Sequence, residues 1–288
     1  MNQPLLPSTE DEHEFQYNPR RAFPHFHRYQ AGRIEANNRA RARTGVQLDL
    51  PYGEHPLHRV DIFPAKQTIR SLKSSVQIFF HGGYWRGQDK KNFAFVGDAL
   101  ATNGVTAVVA NYELCPQATL DGVVTSALDA VAWTRQNISQ FGADPTRISL
   151  CGHSAGAHLC AAVLANDWAK AGADPSWFRG AVLISGIYDP GPAMLTTVNA
   201  ELHLTPELVQ RYNMEAMPPQ VTCGVSIFAG GQEPWRWIDQ SFRYAHHLHR
   251  HGGDPEVHVV PAYDHFNMID QFLISDSPVL RSALRHAV

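Results

Sequence analysis

Apolar residues along the chain follow two alternating spacings, which together predict a mixed α/β protein. Short apolar runs typical of strands occupy residues 75–80, 105–111, 147–152, 181–186, 224–230 and 256–262, and the first of them is predicted to be buried. Between them, apolar residues recur every three or four positions, which is the spacing of a helix. These helices are predicted over residues 93–104, 119–141, 154–167 and 239–252. Strands that alternate with helices favour a mainly parallel, doubly wound sheet with helices on both faces.

Four segments depart from this alternation. Residues 46–63 contain two stretches of period-two patterning around prolines and a glycine, which predict an antiparallel meander at one sheet edge. Residues 187–222 contain several prolines, and we expect a small cap that walls a pocket beyond the carboxyl ends of the strands. Residues 17–45 contain seven arginines, interpreted as a helix with a solvated face. Residues 1–16 are polar and predicted to be a loose lead-in, so that 17–288 form a single domain.

The composition is that of an ordinary globular protein, with 288 residues of which 44% are hydrophobic and 18% charged. A net charge of −3 gives no bulk attraction to nucleic acid or to an anionic membrane. No apolar run approaches the roughly 20 residues of a membrane helix, and the first residues lack the apolar core of a signal peptide. Four scattered cysteines without a CxxC pair are typical of reduced thiols, so we expect a cytoplasmic protein. Whether it forms a homodimer is left open.

The segment GHSAG at 152–156 has the pattern of a serine nucleophile. A predicted strand precedes it and a predicted helix follows, which is the context of a nucleophile elbow. Gly152 and Gly156 permit the close backbone contacts of a strained turn, from which the Ser154 hydroxyl projects above the sheet. The helix that follows directs free N–H groups toward developing negative charge. We therefore predict Ser154 as the nucleophile.

The segment HGGYW at 81–85 follows another predicted strand and is a candidate oxyanion loop. Acyl transfer places negative charge on the former carbonyl oxygen, which requires preorganised N–H donors. A glycine pair allows the backbone to supply them, and the predicted donors are the N–H groups of Gly83, Tyr84 and Ala155. The side chains of Tyr84 and Trp85 either border an aromatic pocket or pack in the interior.

The general base is sought among the six histidines between residues 231 and 270, because hydrolases with this elbow have the chain order serine, acid, histidine. Five of them lie in a predicted helix with a solvated face or inside a predicted strand: His246, His247, His249, His251 and His258. His265 follows the last predicted strand, on a loop that reaches the site. It is the predicted base.

Two carboxylates are candidates for the acid that holds this histidine. Such a carboxylate accepts the Nδ1–H, fixes the tautomer and stabilises the imidazolium. Glu233 lies just beyond the strand predicted at 224–230. Asp239 lies six residues later, at the predicted start of a helix, where it would serve as an N-cap. Position favours Glu233, and Asp239 stays as the alternative.

Four motifs together resemble the kynurenine formamidases (arylformamidases) of the α/β-hydrolase superfamily: HGGYW, GHSAGAHL, SGIYD and DHF. The similarity extends upstream to EANNRARA, LPYG and VDIFP, and HGGYW is its most specific part because most esterases of the superfamily have HGGG or HGGA. The resemblance implies an α/β-hydrolase fold, with Ser154 as nucleophile, His265 as base and Gly82–Gly83 as the oxyanion loop. The family acid is usually an aspartate, so Glu233 departs from the pattern.

The resemblance also implies a reaction, the hydrolysis of N-formyl-L-kynurenine to formate and kynurenine through an acyl-enzyme. No metal and no cofactor are required. The substrate is then a small aromatic amide or ester, and Gly82, Tyr84, Trp85 and Phe266 are expected to contact it together with the 187–222 cap. The exchange at Glu233 leaves open an esterase or amidase acting on another small ester, carbamate or cyclic amide. A catalytically silent receptor would lack the nucleophile or the base, and both are present.

Overall fold

A single sheet of eight strands runs through the part of the chain that the computed structural model describes, residues 9–66, 73–170, 172 and 174–287. Its order is β1-β2-β4-β3-β5-β6-β7-β8. The strands are β1 (Gln47–Pro51), β2 (Arg59–Phe63), β3 (Ser74–Phe80), β4 (Thr106–Ala110), β5 (Ala143–His153), β6 (Phe178–Ile184), β7 (Gly224–Gly230) and β8 (Pro255–Val260). β2 pairs antiparallel with β1 and β4, and all other pairs are parallel. The predicted doubly wound sheet and its edge meander are confirmed.

Helices cover both faces of this sheet. They are α1 (Glu10–Tyr17), α2 (Pro19–Ala22), α3 (His27–Arg41), α4 (Ala94–Thr102), α5 (Leu120–Asn137), α6 (Ala155–Ala165), α7 (Asn199–Leu202), α8 (Pro206–Tyr212), α9 (Trp235–Arg250) and α10 (Pro278–Ala287). Short 3-10 helices lie at Lys90–Phe93, Ile138–Phe141, Pro175–Trp177, Gly191–Leu195 and Met268–Leu273. Within these ranges no helix is long and apolar enough to cross a membrane.

Strand β3 shows why the central strands are largely apolar on both faces rather than at every second position. All of its residues are buried. Val76, Ile78 and Phe80 belong to the core that α5, α6 and α9 share with the sheet, whereas Phe79 belongs to the core under α4 and α10. Since successive side chains point to opposite faces, a strand with helices on both sides is apolar on both faces, and the side-chain NH₂ of the buried Gln77 in β3 donates hydrogen bonds to Ser149 and Ala283.

Residues 10–17 form helix α1, so the described part of the predicted lead-in is helical rather than loose. The Thr9 hydroxyl accepts the N–H of Glu12 at 3.2 Å, and the first turn is acidic, which suits a helix N-terminus. The helix is held at its far side, where Glu14 accepts the Thr197 N–H at 2.9 Å. It therefore packs against the segment 187–222, which contains α7 and α8.

Helix α9 begins at Trp235, four residues before the predicted start. Pro234 occupies its N-cap position. Asp239 therefore lies inside the helix, and the prediction that it caps the N-terminus is wrong.

Candidate active site

Ser154 occupies a sharp turn between the end of β5 and the start of α6. Its backbone has φ 57° and ψ −118°, a conformation that L-residues rarely adopt. The turn also brings α6 against the end of β3, so that a Cβ on Gly156 would lie 2.0 Å from the carbonyl oxygen of Phe80. Glycine is therefore required at that position, and the strained turn directs the serine hydroxyl into a cleft above the sheet.

The three residues predicted as catalytic form one chain of hydrogen bonds. His265 Nε2 lies 3.0 Å from Ser154 Oγ, and His265 Nδ1–H donates to Glu233 Oε1 at 2.7 Å. The other carboxylate oxygen of Glu233 accepts the N–H of Gly230 at 2.9 Å. Ser154, His265 and Glu233 are 2%, 3% and 5% exposed. The arrangement can pass a proton from a serine hydroxyl to an imidazole whose tautomer is fixed from behind.

Burial controls the charge states in this chain. It lowers the pKa of His265, and the nearby Asp264 carboxylate only partly offsets this. Burial raises the pKa of Glu233, whereas the hydrogen bond from Gly230 opposes the rise. Since the imidazole is held neutral, its Nε2 is free to accept the serine proton.

The competing candidates are engaged elsewhere. The Asp239 carboxylate pairs with Arg243 one helical turn later, and Glu233 is the carboxylate that contacts His265. Asp264 accepts the Tyr29 hydroxyl at 2.6 Å and the Phe266 N–H at 2.7 Å, so it stabilises the turn that carries His265. The five other histidines lie where they were predicted, on or just beyond α9 and in β8.

The loop 82–87 runs beside the nucleophile. A Cβ on Gly82 would lie 3.1 Å from the Ser154 Cβ, and Gly83 has φ 122°. Among the described residues, no acceptor is recorded for the backbone N–H groups of Gly83, Tyr84 and Ala155. Free donors on both sides of a nucleophile can bind an oxyanion.

A cleft opens in front of Ser154, and the space in it, counted together with the open solvent at its mouth, is about 620 Å³. Tyr84 and Phe266 line it, as predicted, and so does Gly82. Trp85 does not, since its indole is fully buried and packs edge-on against His158 at 4.9 Å. The expectation that Trp85 contacts substrate is therefore wrong.

The remaining wall comes from an unexpected part of the chain. Within the described ranges no residue of 187–222 lines the cleft, and residues from the segment 18–33 do instead: Asn18, Pro19, Arg20, Phe26, Gln30 and Arg33. The 187–222 segment packs beside α1 and α5, where Tyr212 donates to Asp121 at 2.6 Å. The expected cap thus supports the wall from outside. The arginines of residues 17–45 could have indicated this wall from the sequence, but they were interpreted as the solvated face of a helix.

Comparison with known proteins agrees with this geometry. A family model of the α/β hydrolase fold matches residues 77–268. A kynurenine formamidase of Danio rerio is 30% identical over 96% of this chain and 95% of its own length. One of Salmo salar is 32% identical over 84% of this chain and 82% of its own. An esterase structure from the archaeon Pyrobaculum calidifontis superposes with a TM-score of 0.74 at 18% identity, covering 99% of this chain and 100% of that one. The chain belongs to the kynurenine formamidase family of the α/β-hydrolase superfamily.

Proposed function

We propose that the protein is a serine hydrolase that cleaves an aryl formamide such as N-formyl-L-kynurenine into formate and the arylamine. The observation that carries the proposal is the hydrogen-bonded chain from Ser154 through His265 to Glu233, at the base of a cleft with aromatic walls. Membership of the kynurenine formamidase family supports the choice of a formamide.

The reaction can be written with groups of this chain alone. Ser154 Oγ attacks the formyl carbon while His265 Nε2 takes the serine proton, and the oxyanion accepts the N–H groups of Gly83, Tyr84 and Ala155. The C–N bond then breaks, and His265 donates its proton to the departing nitrogen. Water attacks the formyl ester on Ser154, His265 takes a proton from that water and returns one to Oγ, and formate leaves. We therefore propose that no metal participates.

Glu233 gives no reason to prefer a different reaction. Its longer side chain reaches His265 Nδ1 at 2.7 Å, an ordinary distance for a charge-assisted hydrogen bond. The exchange of aspartate for glutamate is accommodated without loss of the contact.

Substrate preference tests the proposal. We expect kcat/KM for N-formyl-L-kynurenine to exceed that for p-nitrophenyl acetate, because the aromatic wall binds the aryl portion and the small formyl group reaches Ser154. The measurement is a parallel kinetic assay that includes carbamates and cyclic amides. Rapid turnover of the ester with none of the formamide would refute the formamidase assignment and favour an esterase.

The titration of His265 offers a test that does not depend on turnover. Burial lowers the pKa of the imidazole. In the Ser154→Ala protein we expect the Glu233 carboxylate, which contacts Nδ1, to oppose this by favouring the charged form. Adding Glu233→Gln removes the second effect, so the pKa of His265 should fall further and lie below the ordinary 6.5. NMR titration of the imidazole in both proteins measures it. An unchanged or higher pKa would mean that Glu233 is not the counter-charge of His265.

We also propose a cytoplasmic location. The four cysteines are free thiols, and Cys115, Cys151 and Cys160 are buried, which is compatible with a reducing compartment.

A further inference from the structure

The described lining of the cleft carries positive charge and no acidic side chain. It includes Arg20, Arg33 and Arg86 but no aspartate and no glutamate. Guanidinium groups keep their charge at any physiological pH. A ligand that enters the cleft therefore meets positive charge that the lining itself does not neutralise.

Arg33 already forms hydrogen bonds that stabilise the fold. Its Nε donates to Asp270 at 2.5 Å, and one Nη donates to the carbonyl oxygen of Phe266. These contacts fix the turn that follows His265, so Arg33 has little capacity left for a ligand.

Arg86 is only partly satisfied. Its side chain is 11% exposed, and one Nη pairs with Glu201, which is itself half exposed. The Nε of Arg86 is buried, and no residue in the described part of the chain accepts a hydrogen bond from it. An unpartnered buried donor on a charged group costs free energy, which an incoming acceptor would recover. The backbone N–H of Arg86 also donates to the carbonyl oxygen of Gly83 at 3.1 Å. Arg86 is therefore part of the same turn as the proposed oxyanion donors.

Arg20 reaches the same region from the opposite wall. One of its Nη atoms lies 3.9 Å from the position that a Cβ on Gly87 would take, next to Arg86. The guanidinium lies over the Phe26 ring at 5.1 Å, and no carboxylate among the described residues lies within ion-pair distance of it. Two cations brought together with one shared acidic neighbour, Glu201, favour the binding of an additional anion.

We propose that Arg86 and Arg20 form a subsite for a carboxylate of the substrate, which selects aryl formamides that carry an anionic group. The inference rests on the proposed function, since it assigns the part of the substrate that lies away from the scissile bond. The formyl group would lie at Ser154, the ring against the wall of Phe26 and Phe266, and the carboxylate at the guanidinium pair. Planar guanidinium groups suit this ligand because they can donate two parallel hydrogen bonds to it.

The test compares substrates that differ only in charge. N-formyl-L-kynurenine, its carboxamide and formanilide are assayed with the wild type and with Arg86→Gln, Arg20→Gln and Arg21→Gln. We expect Arg86→Gln to lower the ratio of kcat/KM for the acid over the carboxamide about tenfold, mainly through KM, because a hydrogen bond to a charged group is lost. Arg20→Gln should lower the ratio less, since the side chain is exposed. Arg21, its neighbour outside the lining, provides the matched control and should leave the ratio unchanged.

Two outcomes would overturn the subsite. One is a wild type that uses the acid and the carboxamide equally well. The other is a ratio that stays constant in both Arg86→Gln and Arg20→Gln. Melting temperatures show whether Arg86→Gln is folded, and exposed Arg20 gives a second variant if it is not.

Failure of the formamidase assignment remains distinguishable. If the wild type hydrolyses no formamide, the Ser154→Ala protein is titrated by calorimetry with L-kynurenine and with its carboxamide. If the acid binds more tightly than the carboxamide, and if this difference is lost when Arg86→Gln is added, the subsite is supported even though no reaction is observed. Equal binding of both ligands refutes the subsite.

Discussion

Replacing Ser154 by alanine is expected to lower kcat for an aryl formamide by at least about 10⁴-fold, because no other group can take over the covalent step. The Cβ is retained, so the backbone strain of the turn is unchanged and the protein should fold normally. Steady-state kinetics together with circular dichroism measure both effects. Activity above about 1% of the wild type in a well-folded Ser154→Ala protein would exclude the proposed nucleophile.

A matched glycine variant separates catalysis from strain at the same position. Ser154→Gly should be as inactive as Ser154→Ala, but its free energy of unfolding should be higher than that of the alanine variant by about 1 kcal/mol. Glycine tolerates φ 57° with ψ −118°, whereas L-residues in such regions store roughly 1–3 kcal/mol, and the flexible unfolded chain takes back part of the gain. A glycine variant less stable than the alanine variant would show that the turn is not strained.

Replacing Glu233 by glutamine is expected to reduce kcat by roughly 10³- to 10⁴-fold, the effect of the corresponding amide exchange in other triads. An amide can donate its NH₂ group to Nδ1, which leaves the proton on Nε2, where it blocks proton transfer from Ser154. The change is nearly isosteric, so the contacts of the buried side chain are largely kept. Single-turnover measurements would place the loss in the acylation step.

Asp239→Asn is the control for this variant. Its carboxylate pairs with Arg243 at a half-exposed position on α9, and exposed ion pairs contribute about 1 kcal/mol or less. We expect less than a severalfold change in kcat. A large loss in Asp239→Asn with a small loss in Glu233→Gln would reverse the assignment of the acid.

The positions of Ser154, Glu233 and His265 could be predicted because each follows a strand that the sequence predicts. Apolar runs indicate β5 and β7, which end in buried residues, and β8 is the partly exposed edge strand. Parallel strands present their carboxyl ends at one edge of the sheet. Local sequence thus determines which loops meet. The order of residues along the chain then distinguishes His265 from the histidines on α9.

The wall of the cleft could not be predicted in the same way. It depends on contacts between distant parts of the chain, such as those of Tyr29 with Asp264 and of Arg33 with Asp270. A spacing rule cannot show that an arginine-rich helix docks over the site rather than facing solvent. The prediction that Trp85 contacts substrate was wrong for a different reason. Tyr84 and Trp85 both have positive φ, at 55° and 54°, and this tight turn sends one ring to the cleft and the other into the core.

The docking of residues 18–33 over the cleft has a consequence for how this enzyme can change. The segment 77–268 that matches the hydrolase family contains the proposed nucleophile, acid, base and oxyanion loop, whereas Arg20 and Phe26 precede it. The proposed reaction chemistry is therefore encoded in one stretch of the gene, whereas the proposed ligand recognition is divided between that stretch and residues 18–33. Mutations at positions such as Arg20 can retune selectivity during evolution as long as Tyr29 and Arg33, which hold the turn that carries His265, are kept. Grafting the corresponding segment of a relative is, by the same reasoning, the simplest route to engineer a new substrate range.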